Sequence, residues 1–187
     1  YVYVTKAERD YFKKTKIDYL THTMQRLQFT VSANVSTSTF LTEFTRPVKE
    51  LYWVIQTNGA SSYDFTNAGY DQLISLRLQF NTVDVILPEV GTPLFLRTIQ
   101  GLENHARVPD RRFYMYPFAL DPEHPTQPTG SVNMSTMTHQ LHTLQLTACT
   151  SPRRVRVYAA THNVVRVADG KVTSLFENVQ EGGTTTT

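Results

Sequence analysis

Cysteine is nearly absent: Cys149 is the single thiol, so no disulfide can close within the chain. One lone thiol suits folding in a reducing compartment. Long apolar runs are missing too. The stretch 51–55 is among the longest, far short of the roughly 20 residues a membrane-spanning helix needs, and no signal-peptide pattern opens the chain. Charge is scarce in both signs. Lys plus Arg number 18 and Asp plus Glu 16, a net +2 that gives no basis for binding nucleic acid by neutralising phosphates. The pairs Arg111-Arg112 and Arg153-Arg154 read as a solvated rim beside strands.

Signatures of catalysis are likewise absent. There is no Gly-x-Gly-x-x-Gly, no phosphate-binding P-loop, no Gly-x-Ser-x-Gly and no Cys-x-x-Cys. A cupin-like metalloenzyme would need a His-x-His pair on one strand face, and none exists. His139 and His142 are three apart, which on a strand sends them to opposite faces. Asp121 and Glu123 lie in a proline-rich stretch that reads as a solvated turn. Paired carboxylates do acid–base work only where a cleft splits their pKa values. No catalytic, cofactor-binding or metal-ligating residue is therefore assigned.

What is present is a folded β protein. Hydrophobic residues make up 40% and charged residues 18% of the 187, enough to bury one domain and too little charge for a disordered chain. Tyr1-Val2-Tyr3-Val4 alternates like a strand with no partner nearby, which suggests part of a longer polypeptide. Thr5-Lys6-Ala7-Glu8 has capping-box spacing. Tyr11, Phe12, Thr15, Tyr19 and Leu20 then recur at three- and four-residue steps, predicting a connector helix about four turns long.

After Thr23 the period switches to two. Residues 27–36 alternate strictly, 48–56 place Leu51, Trp53 and Ile55 on one face, and Ile74, Leu76, Leu78 and Phe80 point inward in a third run. Further strands are expected at 83–86, 112–120, 132–137, 141–148, 154–161 and 163–167. Short strands split by Pro, Gly and Asn indicate an antiparallel sandwich or barrel, and about eight of them suffice for a jelly roll. Residues 58–71 read as a long exposed loop, 93–103 as one or two helical turns, and 181–187 as a disordered tail. Asn34-Val35-Ser36 and Asn133-Met134-Ser135 match the glycosylation sequon. Tyr52, Tyr63 and Tyr70 leave open a sugar-stacking platform in a carbohydrate-binding jelly-roll module. The competing reading puts Tyr52 on the outer side of the sheet while Trp53 fills the core.

Residues 105–135 read HARVPDRRFYMYPFALDPEHPTQPTGSVNMS. This closely resembles the signature of major capsid proteins of large eukaryotic DNA viruses. The matching positions include His105, Arg107, Pro109, Tyr114, Tyr116, Phe118, Leu120, Pro122, Glu123, Pro128, Gly130, Asn133 and Ser135. Residues 46–56, reading RPVKELYWVIQ, are similar to the family's Pro-Val-Lys-Glu-Leu-x-Trp strand. Tyr158-Ala159 with residues 163–167 resembles its closing strand, and Tyr1-Val2-Tyr3, Glu8-Arg9 and Tyr19-Leu20 its connector between barrels. Pro117, Thr129 and Thr136 depart from the usual residues, as does the segment 170–178.

The resemblance implies an all-β chain: the eight-stranded second barrel of a double jelly-roll capsid protein, preceded by a connector helix. Residues 1–23 would be the last strand of the first barrel plus the connector, 24–180 the jelly roll, and 181–187 a tail. It implies a structural role without catalysis or cofactor. The partners would be two more copies in a trimer, neighbouring capsomers and minor capsid proteins, in a virion capsid assembled in the host cytoplasm. A minor or penton capsid protein is the near alternative. The structural and interface candidates are Tyr11, Phe12, Tyr19, Leu20, Trp53, Pro128, Gly130, Asn133 and Ser135. Pro128-Thr129-Gly130 offers a rigid entry followed by a residue free to take positive φ.

Overall fold

Strand-forming alternation covers most of the chain, and the computed structural model, which describes residues 5–60, 70–124 and 126–174, pairs those strands into two antiparallel sheets. The elements are α1 (Lys6–Lys14), β1 (Ile17–Val31), β2 (Thr37–Thr42), β3 (Pro47–Thr57), β4 (Leu73–Phe80) and β5 (Val83–Ile86). A π-helical turn (Leu94–Ile99), α2 (Gln100–Asn104), β6 (Phe113–Pro117), β7 (Val132–Asn133) and a 3-10 turn (Met134–Thr136) follow. β8 (Gln140–Leu146), β9 (Arg153–Ala168) and β10 (Lys171–Ser174) close the order.

One sheet runs β1-β9-β3-β6, with β10 added on β9 and β7 on β3; the other runs β2-β8-β4-β5. Apart from β4–β5 and β9–β10, neighbours in space are thus distant in sequence. Strands one, three, six and nine form one layer, and two, four, five and eight the other, which is the interleaving of a jelly roll. Two compact units divide the chain, one of Tyr1–Thr23 with His162–Thr187, the other of Met24–Thr161.

The larger unit holds the hydrophobic core. Leu51, Trp53 and Ile55 of β3, beside Ala159, Val157 and Val155 of β9 in their own sheet, face Leu76 and Leu78 of β4 and Leu144 of β8, all essentially without solvent exposure. Each such aliphatic side chain contributes about 1.5–3 kcal/mol on burial. Near one margin of this core the turn at 87–91 approaches β4 so closely that Gly91 has no room for a side chain. A Cβ there would lie 1.9 Å from the Leu76 carbonyl oxygen, where the Gly91 carbonyl also accepts the Leu76 N–H at 2.8 Å.

Several local expectations are corrected. The helix ends at Lys14, so Tyr19 and Leu20 stand on β1 and not on a helical stripe with Tyr11 and Phe12. Thr15 is already extended, its N–H closing the last turn on the Tyr11 carbonyl. Beyond it β-branched Ile17, Thr21 and Thr23 favour a pleated strand, and Asp18 forms a bidentate pair with Arg166 of β9 at 2.8 and 3.0 Å. Within this smaller unit α1 is capped as expected, the Thr5 hydroxyl accepting the Glu8 N–H at 3.1 Å.

Ile74 points outward, 44% exposed, and Leu73 inward, while Ser75 keeps the outer side beside Gln145. A register shift between Leu73 and Ser75 against β8 is the cause, since one extra residue exchanges the two faces. Residues 27–36 stop being strand at Val31, because Asn34 takes a left-handed φ of +61° in a turn. The expected strands 154–161 and 163–167 are one, β9, and β10 was not foreseen. The expected strand at 132–137 is only two residues long before the 3-10 turn. Arg153 is no rim residue: fully buried, it donates to the Val35 carbonyl at 2.6 Å and the Thr147 carbonyl at 2.7 Å, tying two connections together. Residues 93–103 are helical as read. Residues 1–4, 181–187 and most of the 58–71 loop, Tyr63 included, lie outside the described residues.

Candidate functional site

Three clusters of polar contacts stand on the larger unit, two of them built around the signature segment. The first surrounds His105, just after α2. Its Nε2 lies 2.7 Å from Glu50 Oε1 on β3, and its Nδ1 3.0 Å from Glu123 Oε1 on the 121–124 segment. A carboxylate only accepts, so both ring nitrogens must donate and the ring is an imidazolium. The hydrogen bond to Glu50 is the main reason its pKa is raised to about 8, against the opposing pull of burial. His105 in turn holds the Glu123 carboxyl below its ordinary range.

Glu50 is 1% exposed and also accepts the Tyr52 hydroxyl at 2.6 Å. Burial first, then the Glu50 charge, pushes that phenol well above its usual value. Tyr52 is thus tied through its hydroxyl to Glu50, on the side of β3 opposite Trp53. Glu123 also accepts the Ala106 N–H, Lys49 Nζ reaches the Pro122 carbonyl at 2.7 Å, and Asp121 exchanges hydrogen bonds with Thr129.

Gly130 and the Asn-Met-Ser sequence build the second cluster. Gly130 has φ +149°, and a Cβ would come within 2.9 Å of the Phe118 carbonyl oxygen, so the close approach demands glycine. Pro128 is exposed. Asn133 Oδ1 accepts the Ser135 N–H at 3.2 Å and caps the 3-10 turn, while Ser135 Oγ accepts the Arg46 N–H at 2.8 Å. The Met134 N–H answers to the Arg46 carbonyl. Arg46 sits at φ +74°, an unfavourable left-handed conformation for its residue type, immediately before β3. The polar pair thus pins the strained entry to the strand that carries Trp53. Ser135→Ala is expected to lower stability by about 1–3 kcal/mol, as an amide loses its partner. Asn133→Ala removes only a turn cap, worth about 1 kcal/mol. Urea unfolding of both variants measures the order, and equal losses would refute it.

The third cluster was not legible in the sequence. Trp53 Nε1 donates to His142 Nδ1 at 3.0 Å inside the core. The proton of His142 then sits on Nε2 and points at Thr42 Oγ1, 2.9 Å away. Thr42 is bonded to Gln140, whose amide nitrogen donates to the carbonyls of Phe44 and Met134. Complete burial pushes the His142 pKa down to about 3, so the ring stays neutral. His139, on the surface, has no part in this chain of bonds.

None of the clusters leaves a free acid–base pair facing a substrate. Among the described residues no group of three or more His, Cys, Asp or Glu side chains is arranged to hold a metal ion. A shallow recess of about 470 Å³ beside His105 is lined by Glu103, Asn104, Leu120, Asp121 and His124 among others. Exposed apolar groups are distributed: Tyr11, Tyr19 and Leu20 on the smaller unit, and Leu87, Leu94, Leu102 and Leu120 on the larger.

The family model for the large eukaryotic DNA virus major capsid protein matches residues 8–173. A major capsid protein of Pyramimonas orientalis virus is 31% identical over 195 aligned residues, which cover 91% of this chain and 46% of that protein. One from Chrysochromulina ericina virus is 34% identical over 59% of this chain and 19% of its own length. The chain therefore spans less than half the length of these curated relatives. Among solved structures, the PBCV-1 virus capsid superimposes with a TM-score of 0.74 at 19% identity, over 93% of this chain and 55% of that one. The Faustovirus major capsid protein does so at 0.60 and 14% identity, over 85% and 35%. At such identities the likeness concerns the fold.

Proposed function

Because this chain belongs to the major capsid proteins of large eukaryotic DNA viruses, we propose that it is the second barrel of a double jelly-roll shell subunit. Its role is structural, in the virion capsid. Three subunits would close into a capsomer of pseudo-hexagonal outline, and many capsomers, with minor capsid proteins, would tile an icosahedral shell assembled in the host cytoplasm. The carrying observation is the family match from α1 to β10 along a chain whose strands interleave as a jelly roll.

Connector residues fit this reading. The buried hydrophobic core draws on the larger unit, whereas Tyr11 and Tyr19 keep about half their surface, 55% and 47%. With Phe12 and with Leu20, which lies on the opposite face of β1 from Tyr19, they are the candidates for packing against a first barrel. Function then resides in distributed contacts between subunits.

The test is the mass and abundance of the natural polypeptide carrying residues 113–135 in purified particles, with its native mass in solution. A dominant particle protein at least twice the 21.4 kDa of this chain, with a native mass of three protomers, is expected. A scarce, separate 21.4 kDa protein would overturn the proposal.

A further inference from the structure

We propose that His105 is a proton-operated latch, tying the segment 121–124 to the outward face of β3 while protonated and releasing it on deprotonation. The geometry needs two donated protons, one to Glu50 and one to Glu123, from a single ring that contacts two separate elements. A neutral imidazole can supply only one. The other nitrogen would then turn a lone pair toward a carboxylate oxygen, and the two carboxylates would face each other across an uncharged ring.

Further charged groups surround the latch. Glu103 of α2 and Asp121 of the tethered segment line the same recess and add negative charge around the ring. Arg107, close to Glu123, offsets part of it. Lys49 is engaged with the Pro122 carbonyl, the Tyr52 hydroxyl with Glu50, and His124 Nδ1 accepts the Gln127 N–H at 3.0 Å. Within the recess, His105 is therefore the ring held between carboxylates.

What the latch governs is a surface. The tethered segment directly follows Leu120, which at 82% is the most exposed large apolar side chain among the described residues. Its posture depends on whether residues 121–124 are held down.

Linkage sets the pH window. The folded-state pKa of His105 is raised to about 8 from the ordinary 6.5, so the latch is fully engaged below pH 6.5 and lost as pH rises through 8. That displacement corresponds to roughly a 30-fold preference of the latched state for the proton.

The experiment follows hydrogen exchange by mass spectrometry in the natural full-length polypeptide between pH 6 and 9.5. Exchange at the His105 ring carbon gives its titration, and exchange of the 120–124 amides, corrected for intrinsic base catalysis, gives the protection of the segment. The ring should titrate well above 6.5, and protection of the segment should fall by up to about 30-fold over the same interval. In His105→Gln the segment should show no such step. A ring titrating at or below 6.5, or protection that stays flat while the ring loses its proton, would overturn the latch. Both readings come from the wild-type chain, so the latch stays testable even if the variant does not fold.

Discussion

Trp53→Ala is expected to remove about 3–5 kcal/mol of folding stability, the largest loss of any single truncation proposed here. The indole is wholly buried on β3, between β6 and β9 in its own sheet and against β8 across the core. Deleting it opens a cavity among residues anchored in two hydrogen-bonded sheets, which cannot collapse to fill it. A polar loss adds to the cavity. Without the indole N–H, Nδ1 of His142 becomes a buried acceptor with no donor, at a cost of about 1–3 kcal/mol. Trp53→Phe separates the two effects, since it keeps most of the apolar volume and discards the N–H. It should fall between wild type and Trp53→Ala. Urea unfolding followed by circular dichroism measures all three, the probe being chosen because Trp53 is the chain's sole tryptophan. A loss below about 1 kcal/mol for Trp53→Ala would contradict its place at the centre of the core.

Acid is expected to weaken the same core through His142. In the unfolded chain a histidine takes up its proton near pH 6.5; in the folded protein burial pushes that uptake down to about 3. Between those values the unfolded state binds the extra proton, so stability rises with pH. The contribution is complete above 6.5 and declines by about 1.4 kcal/mol per pH unit as pH falls toward 3. At pH 4.5 the accumulated loss is therefore about 3 kcal/mol. His142→Gln should be less stable than wild type at pH 7.5, because its amide fits the Trp53–Thr42 gap less well. It should also lose about 3 kcal/mol less on acidification to 4.5. Parallel declines in both proteins would show that the buried imidazole does not set the acid limit. The charge of His105 acts on the opposite side, its stabilisation fading as pH rises through 8. The two histidines, one kept neutral by burial and one kept charged by carboxylates, thus bound the range of greatest stability from below and above.

Much of this was legible in the residues. The alternation of β3 put Leu51, Trp53 and Ile55 on one face, and that face is the core. The turn residues and short runs implied an antiparallel sandwich, and the motif at 105–135 pointed to the capsid family that the comparisons support. Positions failed where local pattern competed with pairing. Tyr19 and Leu20 continue the spacing of Tyr11 and Phe12, but hydrogen bonding to β9 claims them for a strand. Ile74 belongs to the inward set by alternation, and a bulge turns it out.

What the sequence by itself determined is the class of fold and the family, because periodicity and short motifs are properties of neighbouring residues and need no partner to be read. Tertiary structure alone decided the polar contacts. Trp53 meets His142 across 89 positions, His105 meets Glu50 across 55, and Arg153 meets Val35 across 118. Whether a histidine is neutral or charged, or an arginine buried or solvated, follows from which groups the interleaved strands bring beside it. That proximity is set by strand order and register, which no local pattern contains.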